Sequence, residues 1–298
     1  MFIKSDELME LPPINTRYKL GPKITDEQLA FLEAYGFVHF EGVASRDEVQ
    51  GIISELDRIE SEWVLEKRSS INGIPLFWGK DDKGKKFLQR FAFTSRHSNF
   101  ISEFVRHDRF EPIRLLVGED ARIGEDEKDG VVVNRYMNVP ESIHPRLGWH
   151  TDGLRDLCYL RMPQRMLNIG LHLDDCDTYN GGLRLIPGTH RQNFMSMCFK
   201  KPYFIDHRSD DEEICVTTKA GDLTIHDGRL WHRVARSKLY GQDSLRRTMF
   251  VPYLTGPYEP KSSGSKTPIY HHIGVAMRAA KSMIKQVMTR RDRLIQGE

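Results

Sequence analysis

From residue 25 to residue 63 apolar positions recur every three to four residues, the period of a helix lying on a core. Thr25 with Gln28 three places on reads as a capping box, and Leu29, Leu32 and the closing Gly36 complete a short helix. Phe37–Phe40 then reads as a strand. Ser45 and Glu48 repeat the capping pair ahead of Val49, Ile52, Ile53, Leu56, Ile59 and Trp63, which share one face of a long amphipathic helix. A third helical stretch covers 99–117, where Pro112 either breaks the helix or opens a new first turn. The charged run 80–86 is a solvated tip between short strands.

Near Gly130 the period changes. Segments 131–136, 167–173, 182–186, 223–226 and 247–251 are short β-type runs, separated by turn signals such as Asn180-Gly181-Gly182, Pro187-Gly188 and Asp227-Gly228. Short strands without intervening helices predict a sandwich or barrel of the jelly-roll kind. The expected fold is α+β, mainly β, with the N-terminal helices packed on one sheet and a helix at the C-terminus. One domain over 1–298 is expected: 25–125 mainly helical support, 130–253 the jelly-roll core, 255–268 a loop placed to act as a lid, and 272–295 the C-terminal helix. In that helix Met277, Ala280, Ile284, Val287 and Met288 form an apolar stripe opposite a basic face, read as docked and solvated respectively.

Composition adds mainly exclusions. The chain has 298 residues, 39% hydrophobic and 29% charged, outside the disordered and low-complexity classes. Lys+Arg 44 against Asp+Glu 42 leaves a net charge of +2, so no nucleic-acid partner is expected. No run is apolar enough for a membrane span and no signal-peptide pattern opens the chain, so a cytoplasmic protein is expected. The four cysteines form no C-x-x-C and read as buried thiols. A homo-oligomer stays open.

The chemistry lies in Trp149-His150-Thr151-Asp152. In an extended segment positions i and i+2 project to one side, so His150 and Asp152 can reach one metal ion. Eighty residues after Asp152 stands His232, suited to complete a two-histidine, one-carboxylate face. Such a triad leaves three coordination positions open, as a non-haem Fe(II) centre needs in order to take a bidentate co-substrate together with O₂. Fourteen residues further, Arg246 offers a guanidinium able to grip a carboxylate with two parallel hydrogen bonds. His-x-Asp alone is weak in a chain with 12 histidines; the order His-x-Asp, His, Arg is specific.

With these residues the sequence resembles the phytanoyl-CoA dioxygenase family of Fe(II)- and 2-oxoglutarate-dependent oxygenases. The resemblance is carried by 149–152, by Asn180-Gly181-Gly182-Leu183-Arg184-Leu185-Ile186-Pro187-Gly188-Thr189-His190, by Gly221-Asp222-Leu223 leading to His232, and by Arg246-Arg247-Thr248; it covers roughly residues 25 to 253. It implies a double-stranded β-helix, iron held by the catalytic triad His150, Asp152 and His232, and 2-oxoglutarate chelating the iron with its distal carboxylate on Arg246. Asn134, Asn138 and Asn168 are assigned to the co-substrate pocket, with Tyr136 and His172 beside them; His190 and His226 are read as supporting residues, not ligands. The oxoacid would leave as succinate and CO₂ while an unactivated C–H bond of a small molecule is oxidised. Asp152 stands where related halogenases have a small residue, so hydroxylation is the expected outcome. Gly170 stands near where the phytanoyl-CoA enzyme has a bulky aromatic, which counts against an acyl-CoA substrate; the expected substrate is a small or medium-sized organic molecule, a secondary metabolite or a lipid-like compound. Two alternatives remain at this stage: a cupin-like metal-binding module without turnover, and a protein side-chain hydroxylase. Arg246 counts against the second; the first need not retain Arg246, and 2-oxoglutarate-dependent succinate release separates it from the enzyme.

Overall fold

A computed structural model describes residues 11–153, 156–157 and 160–268. The expected C-terminal helix and Cys158 lie outside the described residues.

Both expected capping boxes form. Thr25 and Gln28 open α1 (Asp26–Tyr35), which ends on Gly36 at φ 79°, and Ser45 and Glu48 open α2 (Arg46–Leu65). A Cβ at Gly36 would lie 2.4 Å from Nδ1 of His190, so both the left-handed backbone and the close approach require glycine there. The 99–117 stretch divides into α3 (Asn99–Val105) and α4 (Glu111–Val117), with Pro112 in the first turn of the second.

Fifteen strands occur among the described residues: β1 (Phe37–Phe40), β2 (Ser70–Ile71), β3 (Ile74–Pro75), β4 (Phe77–Lys80), β5 (Lys86–Phe91), β6 (Arg122–Ile123), β7 (Val132–Tyr136), β8 (Leu147–His150), β9 (Leu167–His172), β10 (Gly182–Leu185), β11 (Ile214–Cys215), β12 (Leu223–Asp227), β13 (His232–Ala235), β14 (Arg246–Phe250) and β15 (Tyr253–Leu254). Seven form one sheet in the order β1-β12-β9-β14-β7-β5-β4, and four form a second in the order β11-β10-β13-β8. Every pairing within these two sheets is antiparallel.

The large sheet divides its side chains by strand alternation. Ile169, Leu171, Leu223, Ile225, Val133 and Met249 face the main core, where Val49, Ile52, Leu56, Ile59 and Trp63 of α2 cover them. The residues between them, among them Asn168, His172, Thr224, His226, Asn134, Arg246 and Thr248, face a cavity closed on its other side by the small sheet. Arg135 turns to α2 and pairs with Asp57 and Glu60. The N-terminal segment contributes β1, β4 and β5 to the same wall, so the sheet is built from both halves of the chain. Among the described residues no helix is long and apolar enough to cross a membrane.

Segment 255–268 runs elsewhere. After β14, the pair β15–β6 leads the chain away, and the segment is stitched to 122–127: Lys261 N–H donates to the Asp126 carbonyl, Glu259 N–H to Glu127 and Arg122 to the carbonyls of Gly256 and Pro257. None of its residues lines the cavity, which corrects the expectation of a lid.

Candidate active site

β8 and β13 are neighbours, and their register sets His150 directly opposite His232. The imidazoles lie 4.1 Å apart between ring centroids. Alternation sends the preceding residues the other way: Trp149 and Trp231 bury in a separate cluster with Ile186. The Leu185-to-His190 stretch acts there. Ile186 N–H donates to the Trp231 carbonyl, the Thr189 hydroxyl oxygen accepts from Trp231 N–H, and His190 bonds the Glu33 carbonyl. Its residues thus clamp the backbone beside His232 and dock it on the end of α1, and His190 is a supporting residue.

Nδ1 of His150 lies 2.8 Å from the Gly148 carbonyl and Nδ1 of His232 lies 2.9 Å from that of Leu230. A carbonyl only accepts, so each Nδ1 carries the proton and each Nε2 keeps its lone pair. Asp152, held by its N–H donating to the Gly228 carbonyl, sets Oδ1 3.9 Å from Nε2 of His150 and 3.8 Å from Nε2 of His232. The ligand atoms of the three residues all lie within 4.8 Å of one another. Burial, with the adjacent His232, holds the His150 imidazole well below its usual range despite the Gly148 carbonyl, so it stays neutral and available as a donor. Burial pushes Asp152 up, and His232 and the Asn168 amide offset part of this. Phe204 stacks on the His150 ring at 4.9 Å.

The cavity that these residues close has a volume of about 330 Å³, at the low end for small-molecule pockets. Farther along its wall Arg246 is buried, with Nη1 donating to the Ala235 carbonyl and no hydrogen-bond partner on Nε. Among the described residues it forms no ion pair with a carboxylate, whereas its neighbour Arg247 is doubly bonded to Asp174 at 2.6 and 2.8 Å. A Cβ on Gly181, at φ 88°, would lie 2.7 Å from Arg246 Nη1, so the Asn180-Gly181-Gly182 turn leaves the guanidinium its room.

The remaining candidates separate. Asn134 and Asn168 line the cavity, and Asn168 Nδ2 donates to Asp152 Oδ2 at 3.3 Å. Asn138 does not line it. Its amide donates to the carbonyls of Ser237 and Leu239 and accepts from Arg236, which ties down the 236–244 connection and leaves nothing for a ligand. Tyr136 and His172 line the wall as expected, together with His226 and Arg90, the last of which carried no signal in sequence. Arg90 lies on β5, opposite Asn134, and pairs with Asp129.

His172 is buried and bonded to the Thr224 hydroxyl. Burial first, then His39, lowers its pKa to about 4 against the pull of Asp222. An unfolded histidine titrates near 6.5, so between those values the unfolded chain binds a proton that the folded chain refuses. The contribution to stability is complete above pH 6.5 and is lost as pH falls toward 4. Chemical denaturation of metal-free protein should register about 2 kcal/mol of this loss between pH 7 and 5, and His172→Gln should remove that part of the slope. An unchanged slope in the variant would assign the proton uptake to other residues.

Comparison with known proteins bears on the family and the fold. The model of the family described as phytanoyl-CoA dioxygenase (PhyH) matches residues 32–237. A curated relative from Stutzerimonas stutzeri, a probable alpha-ketoglutarate-dependent hypophosphite dioxygenase, is 23% identical over 167 residues, 56% of this chain and 53% of its own. The match thus spans about half the length of that relative. AviO1 from Streptomyces viridochromogenes superposes with a TM-score of 0.54 at 18% identity, over 78% of this chain and 96% of its own. HygX from Streptomyces hygroscopicus, with nickel and 2-oxoglutarate bound, gives a TM-score of 0.54 at 18% identity, over 81% and 88%. The non-heme alpha ketoglutarate dependent epimerase SnoN from nogalamycin biosynthesis gives 0.53 at 19% identity, over 80% and 86%. These structures share the fold, with its antiparallel sheets and few helices. With more than half of its length matched by the family model, the chain belongs to the phytanoyl-CoA dioxygenase (PhyH) family.

Proposed function

We propose that this chain is an Fe(II)- and 2-oxoglutarate-dependent dioxygenase that hydroxylates an unactivated C–H bond of a small organic molecule, releasing succinate and CO₂. The observation that carries the reading is one cavity holding a histidine–carboxylate–histidine cluster and, farther along the same wall, a buried guanidinium without an anion. We read the two sheets as the walls of a double-stranded β-helix and 1–298 as one domain. Two imidazoles with free Nε2 lone pairs and one carboxylate fit a divalent ion of the non-haem Fe(II) type, because they leave three positions open. Arg246 fits a carboxylate, since a buried guanidinium is costly until an anion meets it.

His150 and His232 would hold the metal through Nε2 and Asp152 through Oδ1. Bound Fe(II) supplies the activation of O₂ against the 2-oxoacid. Arg246 would grip the distal carboxylate and fix the direction in which the oxoacid lies. Val132, Leu147, Leu183, Val234 and Phe250 line the space between and keep water from it. Phe250 and Thr248 lean over Gly170, where a Cβ would meet them at 3.1 Å, so it is their side chains that line the cavity there. The small volume supports a small-molecule substrate, and the work of a neighbour of this fold in nogalamycin biosynthesis supports placing it in secondary metabolism.

Protein loaded with Fe(II) should release succinate from 2-oxoglutarate in the presence of O₂, faster when the prime substrate is added. Metal binding with no 2-oxoglutarate-dependent succinate would favour a cupin-like binder instead. Stimulation by a peptide and not by small molecules would favour side-chain hydroxylation of a protein.

A further inference from the structure

His226 stands on β12 of the large sheet, across the cavity from the small sheet's histidines, with its side chain 3% exposed and neither ring nitrogen hydrogen-bonded. A buried polar atom without a hydrogen-bond partner is costly, so an imidazole with two of them calls for a partner. Its ring lies 4.5 Å from that of His232, and its Nε2 lies 3.8 Å from Asp152 Oδ2. The ladder explains the approach: His226 is the Cα partner of Asn168 on β9, so the two side chains stand together on the cavity face. Asn168 already donates to that same oxygen. Asp152 therefore has two distinct oxygens, Oδ1 turned to His150 and His232, and Oδ2 turned to Asn168 and His226.

We propose that His226 is a positioning residue for the metal centre, donating from Nε2 to Asp152 Oδ2 so that Asp152 offers Oδ1 alone to the metal. This rests on reading His150, Asp152 and His232 as the ligands. A neutral imidazole has one N–H and one lone pair, and the tautomer protonated at Nε2 supplies the donor that Oδ2 requires. A shift of about 1 Å brings the 3.8 Å separation to hydrogen-bond length. With both lone-pair regions of Oδ2 engaged by Asn168 and His226, the carboxylate is held against swinging to two-oxygen ligation, which would take one of the positions an oxoacid and O₂ need. His226 is not a fourth ligand in this arrangement, because the set whose ligand atoms converge comprises His150, Asp152 and His232 among the described residues.

The test is anaerobic titration of the full chain with Co(II), reading both affinity and the Co(II) absorption spectrum, for wild type, His226→Phe, His226→Leu, His226→Gln and His150→Ala. Loss of a hydrogen bond from the ligand's surroundings typically weakens metal binding 10–100-fold, and that is the expectation for His226→Phe, with a changed Co(II) spectrum. His226→Gln, which restores an N–H donor, should recover most of the affinity. The metal-free Phe variant should unfold close to the wild-type temperature, since without metal the His226–Asp152 separation is 3.8 Å and neither ring nitrogen is hydrogen-bonded; should it fail to fold, His226→Leu carries the same expectation. Wild-type affinity and spectrum in the Phe or Leu variant would overturn the proposal, as would a loss as complete as that of His150→Ala, which would make His226 a ligand. Retention of metal by His150→Ala would instead overturn the ligand assignment beneath it.

Discussion

Arg246→Ala is expected to raise the Michaelis constant for 2-oxoglutarate by two orders of magnitude or more. Breaking a buried charged pair typically costs about 3–5 kcal/mol, much of it the penalty of leaving the surviving charge buried, and each ~1.4 kcal/mol is a factor of ten. Strand alternation places Arg246 with Thr248 and Phe250 on the cavity side of β14, and Met249 on the core side. Burial disfavours the Arg246 charge, as expected for a guanidinium awaiting its anion. Arg247 differs because Asp174 already takes its side-chain donors and its backbone N–H. Arg247→Ala should therefore change the Michaelis constant by no more than a few fold and lower the unfolding midpoint instead. Arg246→Lys keeps charge but not the planar fork, and should fall between wild type and alanine. Initial-rate kinetics with varied 2-oxoglutarate decide the matter; a larger effect at Arg247 would move the assignment one residue along.

What could be read from sequence follows the range over which each signal acts. The capping boxes at Thr25 and Ser45 and the stripe of α2 are local, and they stand where the pattern puts them. The β runs could be read because core-facing and cavity-facing residues alternate, as Ile169 and Leu171 do with Asn168 and His172. That His150 meets His232 is not local: it depends on β8 pairing with β13, and beforehand the two were joined by their order in the chain and by the resemblance, not by any sign of that pairing. Asn138 misled because it lies beyond the end of β7, where alternation no longer fixes direction, and the 236–244 connection uses its amide. Arg90 carried no signal because its place on the wall comes from pairing with Asn134, more than forty residues away. Segment 255–268 follows the arginine strand in sequence, but β15 takes it to β6 and away from the cavity. Connectivity is a poor guide to proximity once a short strand intervenes.

His150→Ala, Asp152→Ala and His232→Ala should each abolish turnover while leaving the fold intact. The three residues come from the ends of β8 and β13 and from the turn after β8, and they face the cavity. The large core is formed by other residues, those of α2 against Ile169, Leu171, Leu223, Ile225 and Met249. Far-ultraviolet circular dichroism and the unfolding midpoint of metal-free protein should therefore change little. For Asp152→Ala the midpoint should hold or rise, because burial disfavours its carboxylate and the variant removes that charge. In the metal-loaded state the order reverses. Wild type gains the free energy of binding a ligand that the unfolded chain holds weakly, about 2.7 kcal/mol at a hundredfold excess over the dissociation constant, and the variants gain none of it. The expected pattern is thus variant midpoints equal to wild type without metal, or above it for Asp152→Ala, a rise with Fe(II) or Co(II) in wild type alone, and no succinate from any variant. A variant that keeps both the metal-induced rise and turnover would remove that residue from the set of ligands.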